Sequence, residues 1–133
     1  MKSGRDIRII TNNPLVVRCL SGHYEIEFVE CTYRELLVKA RDLVFLGYGL
    51  FTHPMAGSVK PNETPYKSLV LSKQPGTFSE AHAELMSSAV ATFDKFTPRN
   101  RELTDKILGD FQMIDYTLLC SALDFDAVAG LSK

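Results

Sequence analysis

The chain has 133 residues, 45% of them hydrophobic and 23% charged, with 15 basic against 16 acidic side chains and a formal net charge of -1. At this length folding buries roughly two-thirds of the chain's surface, so a core needs neither disulfides nor a structural metal. The balanced charge excludes an electrostatic profile dominated by nucleic acid or anionic lipid, and neither is expected as a partner.

Arg5 to Thr11 gathers β-branched residues into a first strand that breaks at Asn12-Asn13-Pro14. There Asn13 can cap a short helix, with Pro14 in its first turn and an end near Leu20. Tyr24 to Val29 alternates Ile26 and Phe28 with Glu25 and Glu27, which reads as a second strand with one wetter face. Thr32-Tyr33-Arg34-Glu35 fits a capping box, and Leu36, Leu37, Ala40, Leu43 and Val44 follow at helical spacing until Gly47 supplies a stop. Gly49 to Thr52 is short and apolar enough to be a central third strand.

From His53 to Lys67 the composition turns polar, with Gly57, Pro61 and Pro65 preventing a helix or a central strand. Lys67 to Ser72 is a fourth strand, and the helix-free loop before it permits either direction. A helix beginning near Ser79 carries Leu85, Met86, Ala89, Val90, Phe93 and Phe96 along one side. Thr97-Pro98 opens a last helix running to about Phe125, with Gly109 as a tolerated weak point.

This order predicts one α/β domain over residues 1–133: a three-layer sandwich with a mostly parallel, four-stranded, Rossmann-like sheet and flanking helices. The longest nearly apolar run, Leu43 to Phe51, falls short of the roughly 20 residues of a membrane span and is broken by two glycines. The apolar stretch after the first residues is interrupted by Arg8, so no secretory signal is expected and the cytoplasm is the expected location. Cys19, Cys31 and Cys120 lie far apart without metal-ligand spacing, as expected of free thiols in a reducing compartment. With only three histidines, and His82 two positions from both Glu80 and Glu84, no metal site is expected.

In open α/β sheets ligands bind beyond the carboxyl ends of the strands. Two loops fall there. Thr11, Asn12 and Asn13 lead into a helix N-terminus that can receive an anion, or they simply form a turn and a cap. The second loop brings His53, Ser58, Lys60, Asn62, Thr64 and Lys67 to the same edge, and a connection of this length without regular structure is usually functional or disordered. Lys60 and Lys67 together would make this edge locally positive despite the overall charge. Neither loop carries Gly-x-x-x-x-Gly-Lys-Ser/Thr or Gly-x-Gly-x-x-Gly, so no nucleotide cofactor is expected. Cys31, beside the start of the second helix, and His53 form a geometrically possible nucleophile and base, with a half-buried thiol and a loop imidazole as the alternative.

In the last helix Ile107, Phe111, Ile114, Leu118 and Phe125 follow spacings of four and three, while Met113, Tyr116, Leu119, Cys120 and Leu123 make other sides apolar. Such a helix must be covered on more than one side, by the preceding helix or by a second subunit in a homodimer.

Ile9-Ile10-Thr11-Asn12-Asn13-Pro14-Leu15 and the segment from Thr52 through His53-Pro54-Met55-Ala56-Gly57-Ser58-Val59-Lys60-Pro61-Asn62-Glu63-Thr64-Pro65-Tyr66-Lys67 to Ser68 resemble the GrdX family. These are small proteins encoded beside the components of the glycine, sarcosine and betaine reductases of amino-acid-fermenting anaerobes. The resemblance extends in length and order over essentially the whole chain. It implies a cytoplasmic accessory protein working near a selenoprotein- and thiol-dependent reductase that yields acetyl phosphate, and it implies no particular reaction and no catalytic residues. Joined to the loops, it leads to an expected role without catalysis, in which a small anionic metabolite or a partner protein binds at the sheet's carboxyl edge. The alternative is a small enzyme using His53 or Cys31 on a carboxylated or phosphorylated substrate.

Overall fold

A computed structural model describes residues 6–55, 60–97 and 102–131, with the side chains of the last helix described through residue 123. The elements run β1 (Ile7–Thr11), α1 (Pro14–Leu20), β2 (Glu25–Phe28), α2 (Tyr33–Phe45), β3 (Ser68–Ser72), α3 (Glu80–Asp94) and α4 (Asp105–Leu131). The local signals for the first four elements act as their chemistry requires. Asn13 Oδ1 accepts from the Leu15 amide at the start of α1. At α2 the capping box is complete: Thr32 Oγ1 accepts from the Glu35 amide at 3.1 Å, and Glu35 Oε1 accepts from the Thr32 amide at 2.9 Å. Past α2, Gly47 takes φ 107°, and a Cβ there would stand 2.5 Å from the Gly76 carbonyl oxygen. Only glycine fits that close crossing of two backbones.

The sheet has three strands in the order β2-β1-β3, with β1 parallel to β2 and antiparallel to β3. This corrects the expected mostly parallel, four-stranded, Rossmann-like sheet, although the α/β character stands. Two physical reasons account for the difference. Among the described residues no helix lies between Thr52 and Ser68 to make a parallel crossover, and the chain enters β3 from the sheet's carboxyl edge and runs back against β1. Gly49 to Thr52 then lies outside β3, reduced to a single antiparallel bridge between Leu50 and Leu71.

Around that bridge the Phe51 amide donates to the Val70 carbonyl and the Ser72 amide to the Gly49 carbonyl, while other donors go to side chains. The Gly49 amide donates to Ser72 Oγ, the Leu50 amide to His82 Nδ1, and the Val70 amide to Thr52 Oγ1. With the Gly49 and Val70 amides bonded to side-chain oxygens, the pairing stops at that one bridge.

β1 is buried on both faces, so it reads as a continuous apolar run. Ile10, Leu69 and Leu71 face α2 and α3, with Leu36, Leu37, Val44 and Met86 fully buried between them. Ile7, Ile9 and Val70 face the opposite way, against Val16 of α1 and Leu119 and Leu123 of α4. The last helix also departs from expectation. It begins at Asp105, with Thr104 Oγ1 accepting from the Ile107 amide, and it extends past Phe125 to Leu131. The expected start at Pro98 lies outside the described residues. Among the described residues no helix is long and apolar enough to cross a membrane.

Candidate functional site

The antiparallel β3 starts where the parallel β1 and β2 end, so the carboxyl edge of the sheet collects Thr11, Asn12, Asn13, Lys67 and Ser68, all buried. Alternation along β1 points Thr11 to the same face as Ile7 and Ile9, toward α4. Thr11 pairs with Ser68 across the strands, their hydroxyl oxygens 2.6 Å apart. Ser68 Oγ lies 2.6 Å from Asp115 Oδ2 of α4, and Asn13 Nδ2 donates to the same oxygen at 3.0 Å and to the Gln112 carbonyl at 2.9 Å.

Proton counting fixes the directions. An ionised Asp115 only accepts, so Ser68 spends its single hydroxyl proton there and Thr11 must donate to Ser68, while Thr11 Oγ1 accepts from the Asn13 amide at 2.9 Å. The result is a closed ring joining β1, β3 and α4.

Asn12 ties a second set of segments. Its Oδ1 accepts from the Lys67 amide at 2.8 Å, and its Nδ2 donates to the carbonyls of Cys31 and Pro65 at 3.0 and 2.8 Å. Thus both asparagines spend their side chains on the protein itself. The turn-and-cap reading describes Asn12 and Asn13 in this structure, with a further grip on α4 that the sequence did not reveal.

Lys67 is 7% exposed, and its Nζ stands 5.8 Å from the centroid of the Tyr33 ring. Among the described residues no carboxylate lies within the 4.0 Å of an ion pair with it. Burial pushes its ammonium pKa down, and the Asp115 charge opposes that shift. Burial pushes the Asp115 carboxyl up, against the hydrogen bonds from Ser68 and Asn13 and the charge of Lys67. Burial, with Asp115 adding to it, also raises the Tyr33 hydroxyl. These two opposite charges line a cavity of about 240 Å³ whose other walls include Thr52, His53, Ser68 and Leu118. On their other side they line a narrow cleft of about 20 Å³ with Tyr33, Thr64 and Tyr66. Gln112 Nε2 donates to the Tyr66 hydroxyl at 2.9 Å and holds that wall to α4.

The remaining sequence candidates divide between places. His53 is exposed on the wall of the 240 Å³ cavity, and its Nδ1 accepts from the Met55 amide. Cys31, Asn62 and Thr64 line a separate cavity of about 530 Å³ beside Tyr33 and Phe93. Asn62 Nδ2 donates to the Thr97 carbonyl at 2.7 Å while its buried Oδ1 has no partner among the described residues, and Thr64 Oγ1 accepts from the Tyr66 amide. Lys60 is exposed, its carbonyl closing a turn with the Glu63 amide, and Ser58 lies outside the described residues.

The expected Cys31 and His53 pairing therefore falls in two different cavities. Burial and the Glu35 carboxylate push the Cys31 thiol up, Lys39 opposing, which is the reverse of an activated thiolate. The expected local positive charge is also revised, since Lys60 lies apart and Asp115 faces Lys67. Among the described residues no group of three or more His, Cys, Asp and Glu side chains is gathered.

Asp115 is the residue that sequence reasoning missed. Its signal was present: it stands four residues after Phe111 and four before Leu119, both buried, so a carboxylate interrupts the core-facing stripe of α4. The stripe drawn through Ile114 and Leu118 is instead on the open side, where these residues are 37% and 41% exposed.

Residues 8–124, most of the chain, match a family model described as GrdX-like protein. No curated protein and no solved structure matches.

Proposed function

The chain belongs to the GrdX-like protein family, and from that premise we propose that it is a binding protein of the glycine reductase system, without catalysis of its own. Its cytoplasmic work is to hold a small carboxylate- or phosphate-bearing metabolite in the cavity at the carboxyl edge of the sheet. The observation that carries this reading is Lys67: a buried ammonium on the wall of a 240 Å³ cavity, with no carboxylate at ion-pair distance among the described residues. A buried cation without a close counter-charge is costly, and an anionic group entering the cavity relieves that cost.

Calorimetric titration with inorganic phosphate, acetyl phosphate, glycine and betaine tests it, alongside capture of the separate reductase components on the immobilised protein. Binding of at least one of these ligands, abolished in Lys67→Met, is the expected result. No heat with any of them and no captured component would overturn the proposal. The exposed face of Met113, Ile114 and Leu118 on α4 is where a homodimer would form. Sedimentation reads this directly, because Leu118→Asp shifts a dimer to monomer and leaves a monomer unchanged.

A further inference from the structure

We infer that the ligand of the Lys67 and Asp115 cavity is a small zwitterion of the amino-acid type, its carboxylate taken by Lys67 and its ammonium by Asp115. This rests on the binding reading above and narrows it.

The charges of Lys67 and Asp115 must balance with whatever enters the cavity that both line. Lys67 and Asp115 line the same two cavities yet do not close into an ion pair, so each can meet a ligand group. Asp115 is anchored by neutral donors only, Ser68 Oγ and Asn13 Nδ2, which fix its carboxylate without cancelling its charge. A simple monoanion brought to Lys67 would leave two negative charges against one positive, and a dianion would leave three. A simple cation brought to Asp115 would leave the opposite excess. A ligand carrying both charges gives the buried Lys67 and the half-buried Asp115 a partner each and adds no net charge, and unpaired buried charge is the costly state.

Phe51, Leu118, Leu119 and Ala122 give the cavity an apolar wall beside the polar Thr52, His53 and Ser68. That suits a short aliphatic skeleton such as those of glycine and β-alanine. The same opposed pair discriminates against wrong ligands, because a charge of the wrong sign at either end is repelled as well as unpaired.

The test is calorimetry of the full chain with matched probes. Glycine is compared with glycolate, which replaces the ammonium by a hydroxyl, and with methylamine, which lacks the carboxylate; β-alanine tests the spacing, and inorganic phosphate represents a plain anion. Glycine or β-alanine binding about tenfold or more tighter than glycolate, phosphate and methylamine is expected. Asp115→Asn should reduce that preference to about twofold by losing the amino acid, not by gaining the anion. Since Asp115 also holds Ser68 and Asn13, the wild-type comparison stands by itself should that variant fail to fold. Glycolate or phosphate binding as tightly as the amino acids would overturn the zwitterion inference and leave the anion-binding reading intact. Binding of none of the probes would overturn both.

Discussion

Replacing Asn13 separates two roles that its side chain performs at once. Oδ1 caps α1 through the Leu15 amide at 3.0 Å, while Nδ2 reaches α4 at Gln112 O and Asp115 Oδ2. Asn13→Ala loses the cap, worth about 1 kcal/mol, and two cross-links, of which the one to a carboxylate is worth about 1.5–3 kcal/mol. The expected loss is about 3–5 kcal/mol, a large share of the roughly 5–15 kcal/mol of a typical domain.

Asn13→Asp is the decisive companion. Aspartate caps a helix about as well as asparagine, so a residue that only capped would tolerate the change. Here the new carboxylate oxygen would replace a donor 3.0 Å from Asp115 Oδ2 and 2.9 Å from Gln112 O. Two carboxylates at that distance cannot both ionise, and the pair's upper pKa rises. A raised native value means the folded state binds more protons than the unfolded one between the two values, so the variant gains stability as pH falls through the raised native value toward the ordinary carboxylate range. Urea denaturation at about pH 7.5 and about pH 5 should show Asn13→Asp destabilised by at least about 3 kcal/mol at the higher pH, with part recovered at the lower. A variant within about 0.5 kcal/mol of wild type at the higher pH would refute the cross-link from Asn13 to α4.

Other expectations follow from single sites. Gly47→Ala places a Cβ 2.5 Å from Gly76 O at φ 107° and should cost about 2 kcal/mol or more, near 8 °C in Tm; Gly22→Ala, with nothing within 4 Å, is the control that should change little. The amide and hydroxyl of Thr32 hold the Glu35 carboxyl below its usual 4.5, so its stabilising effect is present above that value and fades as pH falls through the depressed native one. Urea midpoints taken across that acid range should therefore fall more steeply for wild type than for Glu35→Gln, and parallel curves would count against the capping box as a source of acid sensitivity. Cys31, its thiol pushed up by burial and Glu35, should react with iodoacetamide more slowly than the exposed Cys19. Peptide mapping of the first labelled site reads the order, and Cys31 labelled first would restore the nucleophile reading.

The sequence by itself determined what short-range chemistry determines. Asn13-Pro14, the Thr32 and Glu35 box, Gly47 and Ser79 set helix ends to within a few residues, and the β-branched run through Ile9 and Ile10 marked a strand. Lys67, where the second loop ends, meets Thr11, Asn12 and Asn13 at one sheet edge because β3 starts there and runs antiparallel, while Lys60 lies apart and Asn62 and Thr64 line another cavity. Three things belonged to tertiary structure alone. The antiparallel direction of β3 depended on a loop whose length permits either direction, and the loss of a fourth strand on Ser72 and Thr52 side chains taking the Gly49 and Val70 amides. A helix apolar on most sides left its inward stripe open, and packing put Ile114 and Leu118 on the exposed side and turned the half-buried Asp115 toward Ser68. The last is the character of the site itself: Lys67 and Asp115 stand far apart in sequence, and only the packing of α4 over the end of β1 makes one charge answer the other.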